Sequence, residues 1–133
     1  NINSYDFNNR CITWTTDGIY AGTVFLRNCK FSMTTHCGAL IPKNQNFCLE
    51  YIYAYLKENL RDYARGSQNK RVTVEIIKNI QIPFPANTEG KIELELQNIL
   101  SQNYLKIEMI KNELNKKLNE FINIKMELKS NLL

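Results

Sequence analysis

Residues 100–128 read LSQNYLKIEMIKNELNKKLNEFINIKMEL, and within them Leu100, Ile107, Leu114, Phe121 and Leu128 return at every seventh position. Side chains spaced this way stay on one face of an α-helix, so the run predicts a long amphipathic helix with a coiled-coil seam. The companion column, Asn103, Ile110, Lys117, Ile124 and Asn131, alternates polar with apolar, so that Ile110 and Ile124 also join the seam. The change of period sets in at about Glu89, and balanced Lys and Glu on the remaining faces favour the helix. At ~1.5 Å per residue the helix would reach roughly 65 Å. It cannot bury its own seam. The occupant of that face must be another copy, a second segment of a longer chain, or a different subunit.

Upstream of the helix the pattern is different. Pro85 to Thr88 is a candidate boundary, which divides the chain into residues 1–86 and 87–133. Cys11-Ile12-Thr13-Trp14-Thr15 is rich in β-branched and aromatic residues and reads as a strand. Thr16-Asp17-Gly18 supplies hairpin chemistry, and Tyr20 to Arg27 reads as the returning strand. Phe31 to Thr35 and Cys37 to Ile41 are strand-like again, which predicts an antiparallel meander over residues 11–42. Asn46 is a plausible N-cap for a helix from Phe47 to about Tyr63, whose apolar residues recur at three and four. Thr73 is placed to cap a short helical turn over Glu75 to Asn79, and Ile80-Gln81-Ile82-Pro83 resembles an edge strand. The fold class is therefore α+β: a small mixed, antiparallel α/β domain followed by a long coiled-coil helix.

Charge is unevenly distributed. Residues 1–43 carry four Lys/Arg against two Asp/Glu, residues 44–88 carry six against four, and residues 89–133 carry seven of each. The whole net charge of +4 thus lies in the head, the arrangement of a polyanion-binding domain on an electrically neutral stalk. No apolar run approaches the ~20 residues that cross a bilayer, and the N-terminus has no signal-peptide pattern. A soluble, cytoplasmic chain without membrane contact is expected.

Catalytic and cofactor patterns are missing from the sequence. There is no Gly-rich phosphate loop, no G-x-S-x-G elbow, and a single histidine, His36. Ile82-Pro83-Phe84-Pro85 superficially resembles the base-gripping loop of adenine methyltransferases, but it lacks the polar residue that would hold the amine. The four cysteines, Cys11, Cys29, Cys37 and Cys48, lack the close C-x2-4-C pair that a zinc site wants and read as reduced thiols. No catalytic residue, metal or cofactor is expected.

The strongest candidate for ligand contact is Arg65-Gly66-Ser67-Gln68-Asn69-Lys70-Arg71, three cations without an acid. Arg65, Lys70 and Arg71 suit phosphates, whereas Ser67, Gln68 and Asn69 can reach phosphates or base edges. Thr73 borders the segment. Two weaker candidates are Thr15, Thr16 and Tyr20 around the first turn, and Thr35 with His36; both groups could equally be routine turn chemistry. Trp14 reads as a core residue.

Taken together, several strings resemble the specificity subunit of type I restriction-modification systems. They are Thr13-Trp14-Thr15-Thr16-Asp17-Gly18, Tyr20 to Phe25, His36-Cys37-Gly38, Tyr63-Ala64-Arg65-Gly66-Ser67, and Asn69 to Val74. Ile80 to Pro85 leading into a long helix completes the order of features. The resemblance implies a non-catalytic target-recognition domain with a helical spacer. In that family a full subunit carries two such units, each reading one half of a bipartite site on double-stranded DNA. Paired antiparallel helices set the distance between the half-sites. The subunit directs a methyltransferase subunit and, through it, the restriction subunit. The chain would then be a half-subunit, or the C-terminal half of a longer one with a recognition domain short at its N-terminus. It departs from the family pattern at Asn87-Thr88-Glu89-Gly90-Lys91, where an E-Q-rich stretch is common. The alternative from another class is a coiled-coil assembly module whose head binds protein rather than DNA.

Overall fold

A computed structural model describes residues 9–28 and 30–132. Two compact units divide between Ile99 and Leu100. In the first, three strands, β1 (Cys11–Thr15), β2 (Val24–Arg27) and β3 (Cys37–Leu40), form an antiparallel sheet in the order β2-β1-β3. Three helices follow: α1 (Leu49–Asn59), continued by a 3-10 turn over Leu60–Tyr63, then α2 (Val74–Asn79) and α3 (Leu94–Leu132).

The sheet is not a meander. β3 returns to the free edge of β1, pairing Thr13 with Ala39 and Trp14 with Gly38, while β2 occupies the other edge. Gly38 explains why this strand fits there. A Cβ at Gly38 would lie 2.2 Å from the Trp14 ring, so only glycine lets the indole lie across β3. Strand alternation then sends Ile12, Trp14, Val24, Leu26 and Leu40 to one face, where they pack with Leu49, Ile52, Leu56 and Leu60. Val72 joins this core from beyond the helix, fully buried. On the opposite face Thr13 is equally buried, and its hydroxyl accepts from Arg27 Nε at 3.1 Å.

Several expected boundaries shift, each for a local reason. The second strand starts at Val24 because Gly18 O accepts from Ala21 N–H and Tyr20 O from Thr23 N–H, which winds residues 18–23 into successive turns. The first helix starts at Leu49, with Cys48 at the N-cap; Asn46 lies outside it, its N–H donating to Asn44 Oδ1. The Cys48 N–H is satisfied instead by Gln97 Oε1 at 2.8 Å, and Gln97 Nε2 donates to Asn46 O at 3.3 Å. A fully buried glutamine from the first turn of α3 thereby fixes the start of α1. Ile80 to Pro83 forms no ladder; Ile80 and Ile82 pack on the core from extended chain, and Tyr51 Oη donates to Pro83 O. The short helix α2 matches expectation, with Thr73 Oγ1 accepting from Ile76 N–H at 3.4 Å.

The long helix begins at Leu94 rather than Glu89. Asn87 holds the intervening residues in a closed turn: its Oδ1 accepts from Glu89 and Lys91 N–H, and its backbone pairs with Lys91 O and Gly90 N–H. Gly90 at φ +79° completes the turn. In the second unit, Leu100, Ile107, Ile110, Leu114, Phe121, Ile124 and Leu128 are all between 45% and 63% exposed, so the single chain leaves the seam uncovered. Leu118 and Leu132 are exposed too. They stand four residues after Leu114 and Leu128, on the side where Lys117 and Asn131 leave the companion column polar, and they widen the apolar stripe. Among the described residues, no helix is long and apolar enough to cross a membrane.

Candidate nucleic-acid interface

The basic segment is a closed loop. Arg65 and Arg71 exchange both backbone hydrogen bonds, at 2.9 and 2.8 Å, and pinch off the five residues between them. Gly66 makes the closure possible. It sits at φ +114°, and a Cβ there would stand 2.2 Å from the Asn69 carbonyl oxygen. Ser67, Gln68, Asn69 and Lys70 are consequently held out in solvent, with Arg65 and Arg71 exposed at the neck.

Backbone hydrogen bonds fasten this loop to the first turn. Gly18 N–H donates to Lys70 O at 2.9 Å, and Val72 N–H donates to Thr16 O at 2.8 Å. Trp14 adds a buried bond, Nε1 to Val72 O at 2.8 Å, so the core itself sets where the loop emerges. Thr16 N–H in turn donates to His36 O at 3.0 Å, which brings in the third segment. Three stretches, the first and last more than fifty residues apart in the chain, thus meet on one surface.

Asp17 is their common partner. Its Oδ2 accepts from Thr16 Oγ1 at 2.6 Å and faces His36 Nδ1 at 3.2 Å, while Oδ1 forms an ion pair with Arg71, 3.2 Å from its Nε. The Thr16 hydroxyl first, then His36 and the Arg71 guanidinium, hold the carboxyl below the usual carboxylate range. The Arg71 side chain pairs with the carboxylate through Nε and stays 65% exposed. Asp17, Gly18, His36, Asn69 and Arg71 line a shallow concavity of about 350 Å³.

The candidate residues therefore separate into groups. Arg65, Ser67, Gln68, Asn69, Lys70 and Arg71 form the exposed loop, and Thr16 and His36 join it through Asp17. Thr35 is exposed beside His36 in the turn that precedes β3. Tyr20 lies on the far side of Gly18, 64% exposed. Thr15 and Thr73 serve the scaffold: Thr15 pairs with Cys37 in the sheet, and Thr73 caps α2. Sequence reasoning placed Asp17 in a turn and missed its role as brace, because nothing local signals that His36 and Arg71 will arrive beside it.

Among the described residues, no group of three or more His, Cys, Asp or Glu side chains converges as metal ligands. Cys11, Cys37 and Cys48 are in no disulfide, and Cys29 lies outside the described residues.

A family model described as the type I restriction modification DNA specificity domain matches residues 1–127. A Mycoplasma pneumoniae protein named as a type I specificity subunit is 35% identical over 115 residues, covering 85% of this chain and 35% of its own length. The specificity subunit of the type I restriction enzyme MpnII of the same organism is 31% identical over 114 residues, covering 85% of this chain and 32% of the relative. The chain thus spans about a third of the length of these relatives. The crystal structure of an S subunit of a type I restriction-modification system from M. genitalium shares the fold, with a TM-score of 0.58 at 19% identity over 86% of this chain and 31% of that one. With the family model spanning the sheet, the braced loop and most of the long helix, the chain belongs to the type I restriction modification DNA specificity domain family.

Proposed function

We propose that this chain recognises a specific sequence in double-stranded DNA, as one half of a bipartite reader, and performs no chemistry of its own. The observation that carries the reading is the closed Arg65–Arg71 loop, fastened to Thr16–Gly18 and linked through Asp17 to His36. A closed loop that presents cations beside amide side chains suits both tasks of a reader: Arg65, Lys70 and Arg71 for phosphates, Ser67, Gln68 and Asn69 for phosphates or base edges. The uncovered seam of α3 supports a second role. Pairing with another such helix, from a second copy or from the remainder of a longer subunit, would hold two recognition heads at a fixed spacing. Relatives named as type I specificity subunits, one of them of a restriction enzyme, support service within a restriction-modification complex; a methyltransferase subunit, a restriction subunit reached through it and a cytoplasmic setting complete the proposal.

The test is to exchange residues 65–71 for the corresponding loop of a relative, produce the chain with its methyltransferase, and read the methylated motif by sequencing. The proposal expects the motif to change at one half-site while methylation persists. An unchanged motif with full methylation contradicts it. A second reading, an assembly module whose head binds protein, draws on the same exposed seam. It predicts oligomers by analytical ultracentrifugation with no salt-dependent retention of duplex DNA.

A further inference from the structure

Next to the basic loop stands a feature that the charge pattern does not account for. Ile19 and Tyr20, side by side at the tip of the β1–β2 connection, are 78% and 64% exposed. Their backbone is tightly held. Gly18 N–H donates to Lys70 O, Ala21 N–H to Gly18 O, Thr23 N–H to Tyr20 O, and Arg61 Nη2 to Ile19 O at 3.1 Å. Behind them Ala21 is buried, and Gly22 is pressed so closely on the 3-10 turn that a Cβ would stand 3.0 Å from Arg61 Cα. The tip cannot turn inward to hide its side chains. Two adjacent apolar side chains are thus held out in solvent at one fixed turn.

We propose that Ile19 and Tyr20 form an apolar probe that contacts base edges bearing the thymine methyl group in the major groove, beside the phosphates gripped by the Arg65–Arg71 loop. This rests on the DNA-recognition reading above. The occupant is argued from the surroundings. The tip is joined to Lys70 by a backbone hydrogen bond and flanked by Arg61 and Arg71, with Asp17 already engaged by Arg71, Thr16 and His36. A partner here must combine negative charge with small apolar patches. Duplex DNA does so: thymine C5-methyl groups line a groove walled by phosphates, and apolar side chains read them. Because tip and loop are one hydrogen-bonded unit, phosphate contact would fix the register in which the probe meets the bases.

The experiment uses the full chain assembled with its methyltransferase subunit. The probe is a pool of duplexes with randomised centres in which 5-iodouracil replaces thymine, placing iodine where the methyl stands. Long-wave ultraviolet light breaks the carbon–iodine bond and joins the base to a neighbouring aromatic ring, and mass spectrometry locates the adduct. The adduct is expected on Tyr20. The Ile19→Ala plus Tyr20→Ala double variant is expected to keep the salt dependence of binding and lose about tenfold or more of the preference for selected over scrambled duplexes. Salt-dependent binding with adducts only elsewhere overturns the probe and leaves the DNA-recognition reading standing. Absence of salt-dependent binding in the unmodified chain overturns both. A double variant that loses the methyltransferase subunit but keeps its DNA preference shows a protein contact and also overturns the probe.

Discussion

Substituting Gly66 by alanine isolates the recognition loop from the rest of the head. The residue sits at φ +114°, a region that a residue with a Cβ occupies only at a cost of about 1–3 kcal/mol. The new Cβ would also stand 2.2 Å from Asn69 O, a backbone atom that can retreat only by reopening the Arg65–Arg71 closure. If reopening relieves most of the strain, the closed loop becomes the minor state by roughly 2 kcal/mol. Apparent DNA affinity then falls about 30-fold, since a binding-competent fraction enters the dissociation constant directly. The buried anchors of the loop, Trp14 Nε1 to Val72 O and Val72 in the core, lie outside the strained segment. Global stability should therefore change by less than the local strain. The assay is a pair of measurements on one preparation: a fluorescence-anisotropy titration with duplex DNA and a thermal melt. Gly66→Ala that binds within twofold of the unmodified chain and melts at the same temperature would refute the claim that loop closure organises the site.

Three further predictions test other parts of the structure. Gln97→Leu removes the acceptor for Cys48 N–H and the donor to Asn46 O, leaving the buried Cys48 N–H unsatisfied; a loss of about 2 kcal/mol, or roughly 10 °C in melting temperature of the head, is expected by calorimetry. Leu114→Glu puts a charge in the middle of the exposed seam and should dissociate any helix-paired assembly at micromolar concentration, seen by analytical ultracentrifugation, with the melt of the head unchanged. Asp17 concerns pH: its carboxyl titrates lower in the folded chain, so its stabilising contribution is present above the ordinary carboxylate value of about 3.9 and is lost as pH falls through that value toward the lowered one. Asp17→Asn should flatten the acid side of the stability profile. By removing a negative charge and releasing Arg71, it should also raise non-specific DNA binding while lowering preference for the true site.

How far the sequence foretold this depends on the range over which each signal acts. The heptad of α3 and the apolar spacing of α1 are repeated many times within one element, so a few misplaced residues do not obscure them. The Thr73 cap is also local, its partner lying three residues away. What escaped was decided between elements. The pairing of β3 with β1 follows from the fit of Trp14 over Gly38, which strand propensity does not encode. Asn46 looked like an N-cap because its type is right, but the N-cap is Cys48, whose N–H is held by Gln97, about fifty residues downstream. At the site, Arg65–Arg71 was visible as charge without acids. Asp17 was not, because its importance arises only when Thr16, His36 and Arg71 are gathered around one carboxylate.

The most direct test of the central claim is the salt dependence of duplex DNA binding by the full chain with its methyltransferase subunit, compared with the Lys70→Ala plus Arg71→Ala variant. Each phosphate contact contributes a slope of about 0.9 in log affinity against log salt. A recognition loop that grips the backbone through these two cations predicts a steep slope for the unmodified chain and one shallower by roughly 1.8 for the variant. Equal slopes, or affinity that ignores salt in both, would contradict it.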